Sequence, residues 1–99
     1  MRPKTGWDVL QYEIREEQAA TIGRLARELR DALDALHSFD GQESGGDAQR
    51  ARLVDAAGYA LWNFVVQRDC SGLRFTEQVL EDYAVPAEVR ARMGVMRPR

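Results

Sequence analysis

From Asp8 to Ser38 the chain runs without a proline, and "DGQESGG" from Asp40 then supplies a cluster of turn residues. Inside that stretch Ile22, Leu25, Leu29, Ala32 and Leu36 recur at steps of three and four, with Ala26 and Leu33 widening the stripe. An apolar stripe with that period marks an amphipathic helix. Uninterrupted, it predicts a rod of about 30 residues, on the order of 45 Å long. A rod cannot fold on itself, so the rest of the chain must supply its cover. Trp7 precedes it, and Leu10 and Ile14 carry the stripe back toward the start, although Gln18 stands where an apolar residue is expected. Acidic residues come early (Asp8, Glu13, Glu16, Glu17) and basic ones later (Arg24, Arg27, Arg30), the order that the helix dipole favours in the terminal turns. Glu13, Glu16 and Glu17 read as a solvated acidic face.

After the turn cluster, Asp47 is the expected N-cap of a second helix running to about Asp69 through Leu53, Val54, Ala57, Leu61, Phe64 and Val65. Leu61, Trp62, Phe64, Val65 and Val66 cover nearly every direction, so its last two turns are expected to be buried on most sides. "CSGLR" ends it, with Gly72 as the left-handed C-cap residue. Thr76 is the expected N-cap of a short third helix containing Glu77, Val79, Leu80 and Tyr83. Val85 before Pro86 breaks that helix, and Pro86 opens a fourth that ends at Gly94. No internal repeat occurs, and no alternation supports a strand. The expected fold class is all-α: a long antiparallel helical hairpin about a flexible 40–46 loop, plus two short C-terminal helices, bundle-like. Residues 1–99 read as a single domain with tails at 1–6 and 95–99.

The two long helices do not match. In an antiparallel hairpin the second is roughly two turns too short to cover Trp7, Leu10 and Ile14. Two covers are available: the C-terminal helices packed across the open end, or a second subunit. Gly23 and Gly58 each cost about 1 kcal/mol in a helix interior relative to Ala, so both are expected at close approaches. Counting back from the loop sets Gly23 opposite Leu61 to Phe64, where Gly23→Leu would overpack.

Composition excludes several classes. With 44% hydrophobic and 30% charged residues the chain is a folding one. The longest apolar run, Leu61 to Val66, is broken by Asn63 and falls far short of the roughly 20 residues that span a bilayer. "MRPKTGWD" lacks the apolar core of a secretory signal, and one cysteine cannot form an internal disulfide; both point to a cytoplasmic protein. The net charge of -2 gives no global attraction to nucleic acid or anionic lipid.

Chemistry-bearing residues are sparse. Asn63, Gln67, Arg68, Asp69, Cys70 and Arg74 gather at the end of helix two. A nucleophilic thiol needs a base or cation beside it, and the single histidine, His37, belongs to the other end of the hairpin. Cys70 is therefore expected as a small apolar filler, with Arg68 and Arg74 meeting helix C-terminal carbonyls. Asp34 and His37 share the i,i+3 spacing of carboxylate-bridged metal bundles, but that site needs the element twice plus two more carboxylates. His37 reads instead as a cation near a helix C-terminus. No catalytic, cofactor-binding or metal-binding residues are assigned, and an enzyme is not expected. Two short helices with Arg90, Arg92, Arg97 and Arg99 form an alternative nucleic-acid contact, which Glu77, Glu81, Asp82 and Glu88 weaken.

What remains is association. A long amphipathic helix that outruns its partner leaves an apolar patch, and isologous dimers are the commonest oligomer. The expected function is a non-enzymatic protein-protein interaction or assembly module acting as a homodimer, with Trp7, Leu10, Ile14, Arg68, Asp69 and Arg74 as its surface. The segments "WDVLQYEIREEQAATIGRL", "ALWNFVVQRDCSGLR" and "DYAVPAEVRARMG" resemble a family of short bacterial proteins classed only as a domain of unknown function. The resemblance covers most of the chain apart from the 40–50 loop and the tails. It implies a bacterial, cytoplasmic, helical protein and transfers no functional residue.

Overall fold

The computed structural model describes residues 6–42, 46–73 and 76–94. Its elements are α1 (Gly6–Asp40), α2 (Asp47–Cys70), α3 (Thr76–Asp82) and α4 (Ala87–Arg92). Among the described residues there is no strand. α1 and α2 form the antiparallel hairpin that the turn cluster dictates. Leu25, Leu29 and Leu36 of α1 meet Val54, Ala57, Leu61 and Phe64 of α2 in one core with Val79, Leu80, Val85 and Val89. At 35 residues α1 is about 52 Å long and sets the molecule's 61 Å long axis.

Local endings follow from backbone chemistry. At the end of α2 the Leu73 N–H donates to Arg68 O and the Gly72 N–H to Asp69 O, the paired bonds of a Schellman cap, and Gly72 takes φ +81°. α3 closes the same way, with the Val85 N–H on Leu80 O and the Ala84 N–H on Glu81 O. Here Ala84, not a glycine, occupies the left-handed position at φ +50°. Buried Val85 and the following Pro86 hold it there.

Several expectations are corrected in detail. The N-cap of α2 is Gly46, with no side-chain cap bond, and Asp47 lies in the first turn. Thr76 is the first residue inside α3, and Pro86 is the N-cap of α4 rather than its first turn. α4 ends at Arg92, with Gly94 in a left-handed conformation at φ +80° just beyond. The end of α2 is buried only at Leu61 and Phe64; Trp62 is 44% exposed.

The larger correction concerns the C-terminal helices. They do not cross the open end but return toward the loop end. Tyr83 lies 5.6 Å from Phe64, Glu88 reaches Arg50, Arg92 reaches Asp55, and Gly94 faces the Trp62 ring. The cause is the quality of the stripes. Val54, Ala57, Leu61 and Phe64 form an unbroken apolar row that Val79, Leu80, Val85 and Val89 can match. Near the open end the α1 stripe is interrupted by Gln11, Gln18 and Thr21. The two glycines also separate. A Cβ on Gly58 would meet Arg92 Cβ at 2.8 Å and Arg92 C at 3.0 Å, so Gly58 is where α4 touches α2. A Cβ on Gly23 would meet only Arg27 of its own helix, at 3.7 Å, and nothing on α2. The close approach expected at Gly23 is not found.

Two substitutions check this packing. Gly58→Ala is expected to destabilise by about 1–3 kcal/mol, because the α4 backbone must move. Gly23→Ala is expected to stabilise by roughly 0.5–1 kcal/mol through helix propensity alone. Chemical denaturation of both variants beside the wild type reads the two signs directly.

Candidate functional site

The unbalanced hairpin defines the site. α2 has 24 residues against 35 in α1, so with Asp40 and Asp47 as neighbours, Cys70 faces about residue 17 of α1. Residues 6–16 therefore project some 16 Å beyond α2. On this projection Trp7 is 65% exposed, Leu10 45% and Ile14 42%. Successive steps of three and four place these side chains on the face that leads into Leu25 and Leu29. Val9 and Tyr12 are exposed as well, but on the opposite side of the helix. Where the projection meets the end of α2, an open groove is lined by Leu10, Glu13, Ile14, Glu17, Thr21 and Gln67. Its lining combines apolar side chains with the carboxylates of Glu13, Glu16 and Glu17.

The expected surface at the end of α2 is partly of a different kind. The Arg68 guanidinium lies 5.6 Å over the Phe64 ring, and that of Arg30 lies 4.8 Å over Tyr83. With Phe64 and Tyr83 in contact, these form a row of cation, ring, ring, cation that joins α1, α2 and the residue after α3. Arg68 thus serves packing. Asp69 is exposed at the open end beside the projection, and Arg74 lies outside the described residues. Cys70 is exposed rather than the apolar filler expected, because it points away from the stripe of Leu61 and Phe64. Asn63 is half-buried.

Of the alternative nucleic-acid residues, Arg92 donates to Asp55 at 2.6 Å and is thereby neutralised by α2. Arg90 is exposed, while Arg97 and Arg99 lie outside the described residues. Asp34 and His37 border a small depression of about 210 Å³ together with Asp40 and Tyr83. No group of three or more His, Cys, Asp or Glu side chains that could hold a metal ion occurs among the described residues. Nor does any helix there have the length and apolarity to cross a membrane.

Sequence reasoning missed the polar centre of the loop end. Arg50 grips Asp40 through Nε (2.7 Å) and Nη2 (3.1 Å), and Glu88 through Nη1 (2.8 Å) and Nη2 (2.6 Å). One guanidinium thereby ties the last turn of α1, the first of α2 and the first of α4. The planar fork suits two carboxylates at once, which an ammonium cannot match. The partners lie 10 and 38 residues away, and no local spacing reveals such a triad. Hydrogen bonds from Arg50 hold the Asp40 and Glu88 carboxyls below their ordinary values of 3.8 and 4.5, and the same bonds raise the guanidinium further.

The fold and its exposed extension define a class: a small all-α hairpin protein in which one long helix outruns its partner and presents an exposed arm. More particularly, the chain belongs to a family of unknown function, DUF6665, whose model matches residues 1–99, including the loop and tails that the sequence resemblance left out. Comparison with curated proteins finds no match, and neither does comparison with solved structures.

The Arg50 grip has a pH signature. Carboxylates with lowered folded-state values contribute stability that is complete above 3.8 and 4.5 and is lost as pH falls through the folded values. Arg50→Lys is expected to lower the melting temperature at pH 7 and to flatten its decline below about pH 4. Thermal melts of both proteins across that range provide the comparison.

Proposed function

We propose that this protein is a non-enzymatic interaction or assembly module that acts as a homodimer through the projecting arm of α1. A single observation carries the reading. Trp7, Leu10 and Ile14 continue the core stripe of α1 past the end of α2, where the chain's own helices leave them exposed. Contiguous apolar surface of this kind, rimmed by charge, is characteristic of protein contact sites. A tryptophan at its end is the residue type most often found to dominate binding energy. Asp69 at the end of α2 adjoins the arm and belongs to the rim of the proposed surface. Cytoplasmic residence fits the single exposed thiol, which would be prone to oxidation elsewhere. The nucleic-acid alternative is disfavoured by the Arg92–Asp55 pair and by the net charge of -2.

Native mass spectrometry over a concentration series is the test. The wild type is expected to show a dimer population that grows with concentration through the micromolar range. Leu10→Asp and Ile14→Asp, both on the exposed arm, are expected to leave a helical monomer. A wild type that stays monomeric at every concentration would contradict the proposal.

A further inference from the structure

We infer that α4 is a charge-held latch, which leaves α2 as a unit while α1 and α2 stay paired, with the Glu88–Arg50 contact as its catch. The latch lies toward the loop end of the hairpin, and its working is independent of the homodimer reading above.

α4 does not hold itself. It has six residues, whereas an isolated helix shorter than about 12–15 residues is marginal in water. Its N-cap, Pro86, makes no side-chain cap bond, and Val89 is its single buried residue. Around that one apolar anchor the two helices do not close. An open cleft of about 440 Å³ lies between them, lined by Arg50, Ala51, Val54, Glu88 and Ala91 among others. Segments with few buried apolar contacts are the ones that open locally, ahead of the whole domain.

Charge supplies the remaining hold, at both ends of the helix. In the first turn Glu88 accepts from Arg50 at 2.6 and 2.8 Å, and in the last turn Arg92 donates to Asp55 at 2.6 Å. These four side chains are 30–46% exposed, so solvent ions reach both pairs. The catch is also asymmetric. Arg50 is bound to Asp40 at 2.7 and 3.1 Å, so its guanidinium stays fixed between α1 and α2 when Glu88 departs. Loss of α4 therefore leaves the loop end of the hairpin fastened. On the other side, Val85 is buried and Tyr83 packs on Phe64, which keeps α3 in place. The pivot falls at exposed Pro86, between the buried Val85 and Val89.

Opening has a defined consequence for α2. Ala91 shares the cleft with Val54, the Arg92 backbone lies on Gly58, and Gly94 faces the Trp62 ring. Val54, Gly58 and Trp62 stand at steps of four and so form one row along α2. The closed latch covers that row and the open one presents it, with a glycine at its centre where another backbone can approach.

Native-state hydrogen exchange read residue by residue at pH 7, at one fixed protein concentration, tests the latch. Amides of Val89 to Met93 are expected to be less protected than those of Ala57, Leu61 and Phe64. Glu88→Gln is expected to lower protection in α4 about threefold, the effect of losing one exposed ion pair, and to leave α2 unchanged. Adding roughly 0.5 M sodium chloride to the wild type is expected to act in the same direction, again on α4 alone. Protection lost equally from α2 and α4 would show that α4 opens only with the hairpin. Protection in α4 that responds to neither the substitution nor the salt would show that charge does not hold it. Either result overturns the inference.

Discussion

The 35 residues of α1 and the 24 of α2 share one turn, and everything else in the molecule answers to that difference. A helix buries its apolar stripe only where something lies against it. Over the common length α2 does so, and the core from Leu25 to Leu36 is closed. Beyond it the stripe continues through Ile14, Leu10 and Trp7, which are exposed. The remaining chain, α3 and α4, is long enough to cover only one further surface, and the continuous row from Val54 to Phe64 is the richer one to cover. Trp7, Leu10 and Ile14 are left exposed by that competition.

Two polar devices fix the choice. Arg50 fastens α4 to the loop end by gripping Glu88 and Asp40 together. Exposed ion pairs contribute little individually, yet this one joins three elements and thereby specifies which way the C-terminal chain returns. Further along, the row of Arg30, Tyr83, Phe64 and Arg68 seals the side of the hairpin where α3 ends. Between these anchors the left-handed Ala84 turns the chain, and the strain of an alanine at that φ is offset by the burial of Val85 and Val89 on either side of Pro86. Gly58 completes the seat by letting the α4 backbone approach α2.

Much of this was legible in the residues. Periodicity and the turn cluster located both long helices to within a few residues, and Gly72 and Gly94 announced the left-handed endings. The excess length of α1 followed from counting, whereas the exposure of Trp7, Leu10 and Ile14 depended on where α3 and α4 pack. What escaped had no local signature. The Arg50 triad joins residues far apart in the chain. The return of α3 and α4 toward the loop depended on comparing two stripes in three dimensions. Gly23 and Gly58 look alike in sequence, and only the position of α4 distinguishes them. Cys70 illustrates the limit of average behaviour: cysteines are commonly buried, but this one sits on the outward side of the last turn.

Whether association completes the arm, as proposed, is tested most directly by backbone hydrogen exchange across a dilution series. An arm that is only half supported opens readily, whereas one buried in a contact is protected. Amides of residues 10–17 are expected to be protected at high protein concentration and to lose protection on dilution, while those of Leu25 to Leu36 remain unchanged. Exchange in residues 10–17 that is equally fast at every concentration would contradict the account.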